Sequence, residues 1–125
     1  MILDTNALSA IAEGEPGAAA QVAKASRLAI PVVVLGEYRF GIGQSRRKAE
    51  YEQWLTRTLT GYAVLDVTEE TSVHYAMIRM ELKDAGRPIP ANDTWIAALC
   101  RQHALPLLSQ DKHFDLVKGI RRLNW

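Results

Sequence analysis

The sequence predicts an α/β domain in which a central parallel sheet is covered by helices on both faces. Short apolar segments typical of buried strands alternate with longer amphipathic segments typical of helices, which is the pattern of a parallel sheet with crossover helices. The chain has 125 residues, the size of one domain. It is 48% hydrophobic and 23% charged, which excludes a disordered chain. We therefore expect a single domain over residues 1–125.

Strand and helix alternate from the start of the chain. Residues 1–3 are apolar and predict a buried strand that ends at Asp4. A helix is expected over 16–27, with proline in its first turn and basic residues in its last. Residues 30–34 are mainly β-branched and predict a second strand. Residues 35–43 predict a short helix that glycine ends.

The middle of the chain predicts two further helices around a third strand. Ser45 is expected to cap the first helix, whose apolar residues recur at spacings of three and four: Tyr51, Trp54, Leu55 and Leu59. Residues 63–67 predict the strand. Thr68 is expected to cap the second helix, which ends at Gly86. Its expected apolar face comprises Val73, Met77 and Met80.

The last third of the chain completes the predicted sheet. Asn92 is expected to cap a helix that runs to about His103. Residues 106–109 and 120–123 predict two short strands, separated by a helical turn that ends at Gly119. The predicted sheet therefore has about five strands, all compatible with parallel pairing.

Charge and cysteine content exclude several classes of protein. Lys and Arg total 15 and Asp and Glu total 14, a formal net charge of +1, which excludes a uniformly basic nucleic-acid-binding protein. Cys100 is the single cysteine, so an internal disulfide and a multi-cysteine metal site are excluded. The first 20 residues contain no Lys or Arg, and the apolar run at 28–35 is far shorter than a membrane span of roughly 20 residues. We expect a cytoplasmic protein with no membrane contact.

Carboxylates follow the predicted strands. Asp4 ends the first strand, Glu37 lies three residues beyond the second, and Asp111 lies two residues beyond the fourth. Because ligands of parallel sheets bind beyond the carboxyl ends of the strands, we expect these side chains to converge. Asp93 lies in the first turn of a predicted helix, where the helix dipole favours an anion, so it is either a fourth member of the group or a plain cap.

A group of carboxylates without histidine or cysteine partners suits a hard divalent cation such as Mg²⁺ or Mn²⁺. Without the cation, like charges raise one another's pKa and the group is unfavourable. Such a cation commonly bridges carboxylates to a substrate phosphate and activates a water molecule for attack on phosphorus. The residues therefore predict a metal-dependent phosphodiesterase.

Four segments carry a more specific signal: LDTN at 3–6, LGEYRFG at 35–41, NDTWIAA at 92–98 and SQDKHF at 109–114. Together they resemble the signature blocks of PIN-domain ribonucleases, in particular the VapC-type toxins of toxin–antitoxin pairs. The resemblance implies a three-layer α/β/α PIN-like domain with a central parallel sheet of about five strands. It also implies an endoribonuclease that uses Mg²⁺ or Mn²⁺ and leaves a 5′-phosphate and a 3′-hydroxyl.

The resemblance assigns roles to individual residues. Asp4, Glu37 and Asp93 match the three acidic metal-binding positions, and Asp111 matches a fourth, more variable position for which Asp115 is an alternative. Four polar residues match neighbours that orient the carboxylates or water: Thr5, Asn6, Asn92 and Ser109. Arg39 is a weaker match, because an arginine two residues after a metal-binding glutamate could equally be structural.

Partners follow from the same resemblance. It implies an RNA substrate, a cognate VapB-type antitoxin that folds onto the toxin, and a homodimer. Basic residues at 46–48 and 121–122 could hold RNA phosphates or could be solvated. Tyr38 and Trp95 could stack on bases or pack in the core, and His113 could touch the substrate.

Two other functions remain open. A receiver-type signalling module is also a small parallel α/β domain with acidic strand ends. It needs an acidic pair after the first strand, whereas Thr5 and Asn6 follow Asp4 here. The other alternative is a PIN domain that binds RNA without cutting it, and the full set of acidic residues argues against it.

Overall fold

The computed structural model describes all 125 residues and contains one five-stranded sheet. The strands are β1 (Ile2–Leu3), β2 (Ala29–Pro31), β3 (Ala63–Leu65), β4 (Leu107–Leu108) and β5 (Arg122–Leu123). They are ordered β3-β2-β1-β4-β5, and every neighbouring pair is parallel. This order excludes the receiver-type alternative, because the receiver sheet runs 2-1-3-4-5.

Six helices connect and cover the strands. They are α1 (Thr5–Ala12), α2 (Pro16–Lys24), α3 (Val32–Gly43), α4 (Lys48–Leu59), α5 (Glu69–Asp84) and α6 (Ala91–His103), and a short 3-10 helix, Lys112–Leu116, lies between β4 and β5. The predicted α/β fold with about five parallel strands is thereby confirmed. No helix is both long and apolar enough to span a bilayer.

The first strand lies in the middle of the sheet. Ile2 is opposite Ala29 on one side and Leu107 on the other. Side chains that follow β1 therefore emerge at the centre of the carboxyl edge, with the segments after β2 and β4 on either side. This placement is what allows residues distant in sequence to meet at one site.

The core is a cluster of 24 buried residues that surrounds the sheet. Ile2, Leu3, Leu107 and Leu108 are fully inaccessible to solvent, as expected for central strands covered on both faces. Cys100 is also buried in this cluster, an environment typical of a structural thiol.

Several predicted boundaries are wrong. Residues 5–12 form α1, for which no helix was predicted, and the second strand ends at Pro31 rather than at 34 because Val32 begins α3. Pro31 is the N-cap of α3 with a φ of −61°. Asn92 lies inside α6, whose N-cap is Pro90.

Caps and helix faces give mixed outcomes. Ser45 does not cap α4, whose N-cap is Arg47, although its Oγ accepts a hydrogen bond from the Arg47 backbone N–H. Thr68 caps α5 as predicted.

The buried face of α5 differs from the predicted one. The predicted apolar face is exposed and comprises Val73, Met77 and Met80. The buried residues of α5 are Thr71, Ile78 and Leu82, because α5 packs against α6 along that opposite face.

Candidate metal centre

Asp4 occupies the centre of the carboxyl edge, where β1 meets α1. It is the N-cap of α1 and is almost completely buried. Its Oδ1 accepts a hydrogen bond from the Thr5 backbone N–H at 2.8 Å. Its Oδ2 accepts from the Ser109 hydroxyl at 2.6 Å and from the Asn6 amide at 3.1 Å. Burial raises the pKa of Asp4, and these three donors offset the rise only in part.

A hydrogen-bond network ties Asp4 to the segment after β4. The Asn6 amide also donates to Ser109 Oγ at 3.3 Å, and Asn6 Oδ1 accepts from the Gln110 backbone N–H at 3.2 Å. Ser109 Oγ further accepts from the Asp111 backbone N–H at 3.0 Å. Asn6 and Ser109 thus fix the relative positions of Asp4 and Asp111.

Glu37 on α3 and Asp93 on α6 face the same centre. Burial raises the pKa of Glu37, and the negative charges of Asp4 and Asp93 raise it further. Burial likewise raises the pKa of Asp93; the contact with His113 offsets part of the rise, and the charges of Asp111 and Asp4 add to it. Glu37 Oε1 is buried and has no hydrogen-bond partner. Because neighbouring carboxylates raise these pKa values, the members of the group lie close enough to repel one another.

Asp111 lies at the other side of the centre and contacts His113. Asp111 is the N-cap of the 3-10 helix, and its Oδ1 accepts from the His113 backbone N–H at 2.9 Å. The His113 ring Nδ1 lies 3.1 Å from Asp111 Oδ1 and 3.3 Å from Asp93 Oδ2. Ligand atoms of these three residues all lie within 4.8 Å of one another. The sequence suggested only a substrate contact for His113, and its spacing two residues after Asp111 is the signal that could have pointed to this placement.

Asp115 has a different environment from Asp111. Its two carboxylate oxygens accept hydrogen bonds from Arg122 Nε and Nη2 at 2.8 and 2.9 Å. Arg122 lowers the pKa of Asp115, and its Nη1 also donates to the Ser109 carbonyl at 3.0 Å. Asp115 is therefore an ion-pair partner that holds β5 to the segment after β4.

The remaining candidates are less connected to the centre. Asn92 and Arg39 are exposed, and no hydrogen bond or ion pair ties either side chain to the carboxylates. Thr5 contacts Asp4 through its backbone. Its buried Oγ1 has no hydrogen-bond partner of normal geometry, but the Thr5 side chain lies near Glu37 and offsets part of the rise in the pKa of Glu37.

The aromatic and basic candidates are mostly occupied by protein contacts. Tyr38 is buried and packs 6.1 Å from Trp54, centroid to centroid, which excludes it as a base-stacking platform. Trp95 is partly exposed and stacks on Tyr75 at 4.0 Å. Arg47 is engaged by Glu50 and Glu13.

The residues at this edge fit a divalent cation. The buried Glu37 Oε1 lacks a partner, and the pKa values of Asp4, Glu37 and Asp93 are all raised. No Lys or Arg forms an ion pair with any of the three. Carboxylate oxygens held together with a single imidazole and no Lys or Arg partner are a donor set that suits Mg²⁺ or Mn²⁺.

Comparison with known proteins identifies similar chains. Residues 1–120 match the sequence model of the family described as PIN domain. Ribonuclease VapC5 from Mycobacterium tuberculosis is 30% identical over 120 residues, covering 94% of this chain and 87% of the relative. Ribonuclease VapC2 from Rickettsia felis is 27% identical over 105 residues, covering 83% and 78%.

Solved structures show the same fold. VapBC2 from Rickettsia felis, bound to a DNA fragment from its promoter, has a TM-score of 0.89 at 23% identity, covering 99% of this chain and 97% of that chain. VapBC-1 from nontypeable Haemophilus influenzae has a TM-score of 0.87 at 25% identity, covering 99% and 96%.

Proposed function

The chain belongs to the PIN-domain family, and from that premise we propose that it is a metal-dependent endoribonuclease. The observation that carries the proposal is the convergence of Asp4, Glu37, Asp93 and Asp111 at one edge of the sheet, with three of their pKa values raised. The names of the curated relatives, which are ribonucleases, support RNA as the substrate. Asp111 rather than Asp115 completes the proposed site, since Asp115 is engaged by Arg122.

In the proposed mechanism the four carboxylates act together and neighbouring groups orient them. Asp4, Glu37, Asp93 and Asp111 would hold Mg²⁺ or Mn²⁺. When bound, the cation neutralises charge on the scissile phosphate and acidifies the water that attacks it. Ser109 and Asn6 keep the Asp4 carboxylate in one orientation. The first turn of α6 places Asp93 where the helix dipole favours negative charge. The proposed products carry a 5′-phosphate and a 3′-hydroxyl.

We further propose that the protein is the toxin of a toxin–antitoxin pair, with a VapB-type antitoxin as its partner and a homodimer as its assembly. Support for the antitoxin comes from the structural neighbours, several of which are VapBC complexes, while the homodimer follows only from the resemblance to VapC-type toxins. Expression of the chain alone should arrest growth, and Asp93→Asn should relieve the arrest. No growth effect of the wild-type chain would contradict the toxin role but would not bear on nuclease chemistry.

Cleavage of RNA by the purified protein tests the enzymatic proposal. The wild-type protein with Mg²⁺ or Mn²⁺ should cut single-stranded or loop RNA, whereas EDTA or Asp4→Asn should abolish cutting. Asp115→Asn is the matched control and should cut at the wild-type rate. Equal cleavage in all samples would indicate a contaminating nuclease. RNA binding without cleavage in any sample would instead favour the non-catalytic alternative.

A further inference from the structure

We propose that His113 is a nitrogen ligand of the cation at this centre and that its imidazole shifts the metal preference of the site from Mg²⁺ toward Mn²⁺. The inference rests on the proposed metal-dependent function and adds a residue and a metal selectivity to it. It applies to the ring Nδ1, the imidazole nitrogen that faces the carboxylates.

The spacing of the donor atoms supports coordination. His113 Nδ1 lies 3.1 Å from Asp111 Oδ1 and 3.3 Å from Asp93 Oδ2. Neighbouring ligands of an octahedral cation with bonds of about 2.1 Å are about 3 Å apart, so these separations match one edge length of such a shell. The three ligand atoms lie within 4.8 Å of one another, a limit slightly larger than the roughly 4.2 Å between opposite ligands of such a shell.

The backbone holds the imidazole at this place. The His113 N–H donates to Asp111 Oδ1 at 2.9 Å, which fixes the first turn of the 3-10 helix. The next residue, Phe114, is buried in the core and anchors that turn. In the metal-free protein Nδ1–H can donate to Asp93 and Asp111. The ring Nε2 has no hydrogen-bond partner within the protein, so the ring proton can reside there when Nδ1 binds a cation instead.

The identity of the donor determines the expected metal preference. Oxygen donors suit Mg²⁺, whereas imidazole favours transition metals. A site with carboxylates alone would discriminate weakly between Mg²⁺ and Mn²⁺. The same carboxylates with one imidazole should favour Mn²⁺, because Mg²⁺ gains little from a nitrogen ligand.

Spectroscopy of bound Mn²⁺ tests the inference without measuring activity. The full-length protein, purified without a polyhistidine tag, is loaded with Mn²⁺, and electron spin-echo envelope modulation detects nitrogen coordinated to the metal. We compare the wild-type protein with His113→Ala and with His103→Ala, since His103 is an exposed histidine at the end of α6. Titration calorimetry gives the dissociation constants of each protein for Mn²⁺ and Mg²⁺.

The expected result is ¹⁴N modulation in the wild-type and His103→Ala proteins and its loss in His113→Ala. We also expect His113→Ala to weaken Mn²⁺ binding by about tenfold while Mg²⁺ binding changes much less. Saturable Mn²⁺ binding without ¹⁴N modulation, or modulation that persists in His113→Ala, would overturn the role of His113 and leave the proposed nuclease intact. Absence of saturable binding of either metal to the wild-type protein would overturn both.

Discussion

Two groups of acidic side chains have opposite surroundings. One group lies at the carboxyl edge of the sheet, and the other lies on the outer surface, at the end of α1 and on α4. Glu50 and Glu13 lie against Arg47, and Arg47 lowers the pKa of Glu50. At the sheet edge, Glu37 and Asp93 have raised pKa values and no Lys or Arg partner. An arginine thus balances the charge of the surface glutamates, whereas no Lys or Arg balances the charge of the carboxylates at the sheet edge. A cation-binding site requires such an excess of negative charge.

The same contrast occurs within one 3-10 helix. Asp111, at its start, faces the other carboxylates and contacts His113. Asp115, three residues into the helix, forms a bidentate pair with Arg122. Two aspartates four residues apart therefore have different roles, one at the candidate site and one in an ion pair that joins the 3-10 helix to β5.

Asp93→Asn should have the largest effect on activity. We expect kcat/KM for RNA cleavage to fall by about 100-fold or more, because a metal ligand is lost. Loss of a residue that only orients a metal ligand already costs about 10–100-fold. Asp115→Asn should change kcat/KM by less than about threefold, since it removes only a surface ion pair. Comparable losses in the two variants would erase the distinction between the two regions.

Ser109→Ala should have an intermediate effect. Its hydroxyl donates to Asp4 and accepts from the backbone of Asp111, so its removal should loosen both carboxylates. We expect about 10–100-fold weaker binding of Mn²⁺, measured by titration calorimetry. Ser72→Ala, at an exposed position on α5, is the control and should leave the affinity unchanged. Wild-type affinity in Ser109→Ala would show that the network does not support the site.

Glu37→Gln should stabilise the metal-free protein at neutral pH. A raised pKa means that the folded state binds the proton of Glu37 more tightly than the unfolded state does. The stabilisation from that proton is therefore present at low pH and is lost as the pH rises through the folded pKa. At pH 7 the Glu37→Gln substitution replaces a carboxylate repelled by its neighbours with a neutral amide. The free energy of unfolding should increase, and we expect Tm to rise by roughly 2–4 °C.

The pH profile distinguishes this effect from a general change in packing. The difference in Tm between Glu37→Gln and wild type should shrink toward pH 3, where Glu37 is protonated. Glu50→Gln is the control from the other region. Because Arg47 lowers the folded-state pKa of Glu50, their ion pair stabilises the protein at pH values above the unfolded-state pKa, and this stabilisation is lost as the pH falls. The Tm of Glu50→Gln at pH 7 should therefore equal that of the wild type or be slightly lower. A lower Tm for Glu37→Gln would contradict the proposed repulsion.

Asn92→Ala should have the smallest effect. The side chain is exposed on the first turn of α6 and makes no hydrogen bond with the carboxylates. We expect the free energy of unfolding to change by less than about 0.5 kcal/mol, measured by urea denaturation, and Mn²⁺ affinity to stay within about threefold. A loss of affinity as large as that of Ser109→Ala would extend the site to Asn92.

Much of the sheet and of the carboxylate group could be predicted because both follow simple rules. Apolar runs mark buried parallel strands, and the carboxyl ends of those strands mark the site. The end of β2 could not be predicted, because residues 32–34 have strand-forming side chains yet begin α3 after Pro31. The buried face of α5 was also missed, since apolar residues occur on both of its faces and only the packing against α6 decides which is covered. The contacts of His113 depend on a 3-10 turn and a ring orientation that no periodic pattern reveals.

Titration of Mn²⁺ into the metal-free protein at constant pH tests most directly whether the carboxyl edge is a cation site. We predict saturable binding to the wild-type protein, binding weakened by about 100-fold or more in Asp93→Asn, and wild-type affinity in Asp115→Asn. Equal affinity in the wild-type and Asp93→Asn proteins, or no saturable binding to the wild-type protein, would contradict the assignment of the carboxyl edge as the metal centre.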